Sequence, residues 1–133
     1  MTIQLSTGAR NARLDAIETA VGTGAILKLR TGAPPASCAA ADSGTVIISY
    51  TLASDWAAAA ASGSKSFSNT PISGAATASG TLGHYRLYAS DGTTCHMQGT
   101  VATSGGDMTV DNTSVNNGQT VQVTSWSITD GNA

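Results

Sequence analysis

Along most of this 133-residue chain, hydrophobic and polar positions alternate with the period of two that marks β-strands; near the start the spacing is helical instead. Leu14, Ile17 and Val21 share one helical stripe, joined by the alanines at 9, 12, 16 and 20. Ser6 or Thr7 is placed to cap this helix and Gly22 to stop it. Its other side carries Arg10, Asn11, Arg13, Asp15 and Glu18. Arg10 and Arg13 fall in the N-terminal half, where the helix dipole disfavours positive charge. Two readings stay open for them: a solvated face, or arginines that meet acidic groups on a partner chain. A helix of about 14 residues is marginal alone in water, so its stripe needs cover from the rest of the chain or from a partner.

Residues 26–31 alternate as a short strand with Leu27 and Leu29 inward and Lys28 and Arg30 outward. Gly32-Ala33-Pro34-Pro35 ends it, because proline cannot donate to a ladder. A loop of small residues then runs through Cys38, Asp42 and Gly44 to a strand at 45–53, where Val46, Ile48, Tyr50 and Leu52 share a face. Ser54 or Asp55 can cap Trp56 and the five alanines after it, which predicts a short helix ending near Gly63 with Trp56 as a core anchor. Residues 62–81 read as irregular with one weak strand at 65–69. Further on, Ser104-Gly105-Gly106 and Asn116-Asn117-Gly118 mark turns, and Met108 with Val110 marks a strand. The last strand, 119–129, changes phase between Val121/Val123 and Trp126/Ile128, which predicts a β-bulge near Thr124-Ser125.

Between these lies the most informative stretch, 83–101, two alternating runs joined through Asp91-Gly92, a strong hairpin signal. A two-residue loop would pair Leu87 with His96. A three-residue loop, with Gly92 left-handed, would pair Leu87 with Cys95 and Tyr85 with Met97. The second gives one apolar face and one polar face of His84, Arg86, Tyr88, Thr94, His96 and Gln98, and is the expected register. His84, Arg86, Tyr88 and His96 then form an exposed candidate contact face, since Tyr and Arg are frequent interface anchors. The sum is a mainly β chain: an antiparallel, jelly-roll-like β-sandwich over 25–133, preceded by an N-terminal helical attachment segment over 1–24.

Composition narrows the function. Charged residues make up only 11% of the chain and the net charge is −2, which leaves no electrostatic footprint for nucleic acid and none for an anionic membrane surface. No apolar run reaches the roughly 20 residues of a membrane span. The N-terminus lacks a signal-peptide layout, so synthesis in the cytosol is the expectation; Cys38 and Cys95 could form one bridge, but a cytosolic chain favours free thiols. His84 and His96 without a third ligand make a poor metal site, and Asp107 with Asp111 reads as turn chemistry rather than a calcium loop. No nucleophile elbow, phosphate-binding loop or zinc-protease motif occurs. The expectation is a protein that is no enzyme and holds no cofactor.

Several blocks carry a resemblance: residues 6–18, 30–33, 38–45, 52–56, 83–88, 95–101 and 106–112. Together they resemble small virion structural proteins of tailed bacteriophages and prophages. The resemblance implies a particle component made in the host bacterial cytoplasm and residing in the virion. A head decoration (cement) protein is the favoured role, acting as a dimer or trimer on the major capsid protein or other virion proteins. Arg10, Arg13, Leu14, Ile17 and Val21 are its candidate attachment residues, alongside the hairpin face. The alternative is a tail or collar component or a sugar-binding adhesin, with Trp56, Trp126 and the Tyr88/His84/His96 face as its surface.

Overall fold

In the computed structural model, which describes residues 3–133, Ser6 accepts the Ala9 N–H at 3.1 Å and starts helix α1 (Thr7–Val21). Gly22, at φ +83°, ends it by returning its N–H to the Glu18 carbonyl at 2.9 Å. Both caps are those expected from the sequence. Met1 and Thr2, the start of the expected 1–24 segment, lie outside the described residues.

Nine strands follow among the described residues: β1 (Ile26–Thr31), β2 (Val46–Thr51), β3 (Ser64–Ser66), β4 (Ile72–Ala75), β5 (Gly80–Tyr88), β6 (Cys95–Ala102), β7 (Met108–Val110), β8 (Ser114–Val115) and β9 (Thr120–Thr129). The fold is therefore mainly β with one N-terminal helix. The strands form a curled mixed sheet. Its hydrogen-bonded path runs β2-β1-β5-β6-β7-β9-β3, with β4 also on β9 and β8 on β5, and the β6–β7 pair is parallel. The curl brings the two ends together. Thr77 donates its N–H to Ile47 O at 2.9 Å, and the Tyr50 hydroxyl reaches Val121 O at 2.9 Å. Gly74 permits this approach, since a Cβ there would stand 2.9 Å from the Tyr50 ring.

Inside the curl sit Leu27, Leu29, Ile48, Leu87, Val121 and Val123, all buried. One end is closed by aromatics: Phe67 stacks on Trp126 at 4.7 Å between centroids, and Trp56 stands edge-on to Phe67 at 5.9 Å. The Trp126 indole N–H donates to the Tyr85 hydroxyl at 3.0 Å, so its polar edge is satisfied within the core. The predicted bulge in β9 is present: Val110 pairs with Val123 but Thr109 with Ser125, which leaves Thr124 as the extra residue and turns both Val123 and Trp126 inward.

Two local expectations fail. The alanine run after Trp56 is not helical, because its backbone is used sideways: Ala58 N–H goes to Ser66 O, Ala61 and Ser64 exchange bonds, and Ala60 N–H goes to the Asp15 carboxylate. A helix of so few residues has little stability of its own to oppose these contacts. The hairpin takes neither anticipated register. Tyr88 pairs with Cys95 and Leu87 with Met97, with His96 the extra residue between them. The Asp91 carboxylate accepts the Thr93 and Thr94 N–H groups, both at 2.9 Å, and so holds a four-residue loop, 90–93, with Gly92 at φ +69° as anticipated.

Candidate functional site

The β1–β5 face opposite the core was expected to meet solvent; instead it is buried. Lys28, Arg30, His84, Arg86 and Tyr88 share it through the pairs Ile26–Tyr88, Lys28–Arg86 and Arg30–His84. Bulges flank Arg30 on both sides, where Ile47 in β2 and Gly83 in β5 are skipped by the register. Gly83 can sit there because it has no side chain: a Cβ would lie 2.2 Å from Gly32 O. The loop 33–44 folds over this face, and its small residues let its carbonyls come down onto the arginine.

Arg86 is the centre of the cluster. Its Nη1 pairs with Asp42 Oδ1, and its Nη2 donates to the carbonyls of Ser37, Cys38 and Ala40 at 3.1, 3.0 and 3.2 Å. Arg30 Nη2 pairs with Asp42 Oδ2 at 2.8 Å, and the Tyr88 hydroxyl donates to Asp42 Oδ1 at 2.7 Å. Burial works to raise the Asp42 carboxyl, but Tyr88, Arg86 and Arg30 outweigh it and hold the group below its ordinary value. Burial, and then donation to Asp42, push the Tyr88 hydroxyl up to about 12. Gln98, paired with Arg86 across β5–β6, fastens the loop again through Pro35 O at 2.6 Å, and His84 Nδ1 lies 2.8 Å from Gly32 O. The arrangement is a latch for the loop. Both guanidiniums are committed to Asp42.

A second ionic group joins the helix to the sheet. Lys65 on β3 is fully buried and donates to Asp15 Oδ1 at 2.8 Å and Ala58 O at 2.9 Å, with Glu18 Oε2 at 2.9 Å. Burial lowers the ammonium's proton affinity, but the two carboxylates more than restore it. Lys65, together with the Ala60 N–H, holds Asp15 below its ordinary value. Above this triad an open groove of about 530 Å³ runs between α1 and the 54–59 segment, with Asp15, Glu18 and Asp55 on its walls.

These contacts decide where each candidate residue stands. Leu14 and Val21 are buried and Ile17 packs on the core, so the stripe of α1 is covered by the chain's own sheet. The helix is part of the same folded unit as the strands. Arg13 pairs with Asp130 at 3.1 Å and Arg10 donates to Asp130 O at 3.1 Å, so both already have an acidic neighbourhood at the C-terminal end of the chain. His84, Arg86 and Tyr88 are buried, while His96 at the bulge is exposed; the expected exposed quartet is therefore not a surface. Trp56 and Trp126 are buried as well, which removes the aromatic surface considered for sugar binding. Asp107 accepts the Thr100 N–H at 2.9 Å, and Asp111 accepts the Gln122 N–H across to β9 at 3.0 Å.

The residues that organise the site and were missed are Asp42 and Lys65. One signal for Asp42 is in the sequence: it is the sole acid between Glu18 and Asp55, so the loop over Arg30 carries no other carboxylate. Nothing comparable marks Lys65. Among the described residues, no group of three His, Cys, Asp or Glu side chains is arranged to hold a metal ion, and no helix is long and apolar enough to cross a membrane. Comparison with protein-family models, curated proteins and solved structures returns no match.

Proposed function

We propose that the chain is a structural component of a tailed-phage virion, and within it a head decoration protein that docks as a homo-oligomer on the major capsid protein. The observation that carries this reading is the fate of the charges. All six lysines and arginines are engaged inside the chain: Arg30 and Arg86 on Asp42, Lys65 on Asp15 and Glu18, Arg13 and Arg10 on Asp130, and Lys28 on Gly92 O. Exposed positions on the strands are hydroxyl-bearing instead, such as Ser49, Thr51, Thr124 and Ser125. Such a surface packs against neighbours without stripping water from free ions, which is the costly step in burying a charged surface. It also offers little for phosphate-backbone binding, which runs on free lysines and arginines. The block resemblance to virion proteins points the same way. Docking, on this reading, uses the neutral outer strands, not the stripe of α1.

The test is co-sedimentation of the purified chain with tailed-phage heads stripped of their decoration proteins, followed by counting bound copies. Hundreds per head, changing little between low and high salt, support the reading, because the exposed strand positions that would make the contact carry no charge. A single ring's worth of copies at the portal end moves the protein to the neck or tail. No binding overturns the proposal.

A further inference from the structure

The loop 33–44 and the β5–β6 hairpin each bring one cysteine to the same covered face. Cys38 lies in the loop, its carbonyl held by Arg86 at 3.0 Å. Cys95 opens β6 directly opposite Tyr88, two residues along β5 from Arg86. Gln98 on the same strand holds Pro35 of the loop, so the cover is pinned on both sides of Cys38. Both cysteines are thiols and both are half-buried, within reach of a small reagent. Cys95 Sγ makes only a long contact of 3.5 Å to Met97 O, which it can give up. The placement of both cysteines at this face agrees with the Cys38 thiol, which burial first and Cys95 next push up to about 11.

We propose that Cys38 and Cys95 are a modification site, a dithiol that takes an intramolecular disulfide by exchange with a low-molecular-weight disulfide such as oxidised glutathione. One protein thiol, after losing its proton to solvent, attacks a sulfur of the small disulfide, leaving a mixed disulfide and expelling one glutathione thiolate. The second protein thiol loses its proton and attacks the protein-side sulfur, which forms the Cys38–Cys95 bond and expels the second glutathione. The protein loses two protons and two electrons, and one oxidised glutathione becomes two reduced molecules.

The bridge has a physical purpose in this fold. Polar contacts fasten the cover (Arg86 and Arg30 to Asp42, Gln98 to Pro35), and from Ala33 to Ala41 it carries only alanine, proline, serine and cysteine, with none of the large apolar side chains that anchor the core. A covalent tie supplies what the side chains cannot, and closing a ring from 38 to 95 also restricts the unfolded chain. A reducing compartment keeps the latch openable; transfer to an oxidising one closes it.

The experiment equilibrates the full chain with glutathione at graded ratios of oxidised to reduced form, quenches, unfolds, alkylates the remaining thiols and reads the intact mass. The expected result is loss of both labels together along one redox titration, with a mass decrease of two hydrogens and no dimer on a non-reducing gel. The urea midpoint of the oxidised chain should exceed that of the reduced chain, and Cys38→Ser and Cys95→Ser should each abolish that shift. Glutathione retained on either cysteine, disulfide-linked dimers, or labels that persist at the most oxidising ratio would each overturn the proposal.

Discussion

Arg86 and Asp42, 44 residues apart in sequence, form an ion pair in which the guanidinium is 2% exposed and the carboxylate 40%. The asymmetry follows from how each is carried. Arg86 projects from the C-terminal part of β5 into the space beneath the loop, while Asp42 hangs from the loop's rim, where water still reaches it. The arginine depends on the loop for its hydrogen bonds, and the loop depends on the arginine for its position.

Removing either partner should therefore loosen the cover. Asp42→Ala is expected to cost about 2 kcal/mol, the scale of lost hydrogen bonds to a charged group. The cost stays below that of breaking a fully buried pair because Asp42 is already partly hydrated. Arg86→Met removes the buried charge and frees three carbonyls, and the double variant should cost less than the sum of the singles. Urea unfolding of the four-member cycle measures this, and strict additivity would contradict the latch.

Acid should destabilise the fold in a predictable window. Lys65 and the Ala60 N–H depress Asp15; Tyr88 and the two arginines, working against burial, depress Asp42; Thr94 and Thr93 depress Asp91. A group whose folded pKa is lowered contributes stability that is complete above its unfolded value, about 4 for aspartate, and is lost as pH falls through the folded value. Urea midpoints should thus change little on descending from neutrality and fall below about pH 4. Asp42→Asn and Asp15→Asn should each flatten that acid limb; a limb unchanged in both variants would show that these pairs carry no linkage.

Lys65 separates a role in stability from a role in charge balance. Lys65→Met fills the buried slot with an apolar chain of similar length and leaves Asp15 and Glu18, 48% and 23% exposed, free to hydrate. Asp15→Ala combined with Glu18→Ala leaves the ammonium buried with only the Ala58 carbonyl. The double variant should have the lower urea midpoint by a clear margin. For the same reason, deletion of residues 1–22 should give no folded β unit, which circular dichroism and amide exchange will show.

Gly44 controls the base of the loop. It sits at φ +68°, and a Cβ there would lie 2.0 Å from the Thr31 carbonyl oxygen, which is backbone and cannot turn aside. Gly44→Ala should therefore displace the cover and raise the alkylation rate of Cys38 in the native state, with Gly105→Ala, where a Cβ meets nothing, as the control for left-handed strain alone.

What the sequence determined by itself was local. Ser6 and Gly22 frame the helix because a capping oxygen and a residue free to adopt positive φ act within one turn. The strands at 26–31 and 108–110 and the bulge at Thr124 were legible because period-two alternation, and its loss of phase, are properties of neighbouring residues. Only the tertiary structure decided what covers each face. Alternation says that Arg86 and Leu87 point opposite ways, but whether the polar side meets water or a distant loop depends on carbonyls from Ser37, Cys38 and Ala40 that carry no side-chain signal. Once both faces were buried, the rule that the apolar side seeks the core lost its leverage on the hairpin register, and the Asp91 cap took over. The alanine run went the same way. Its intrinsic preference for helix, a few tenths of a kcal/mol per residue, lost to backbone bonds with β3 and Asp15 that only the folded chain brings within reach.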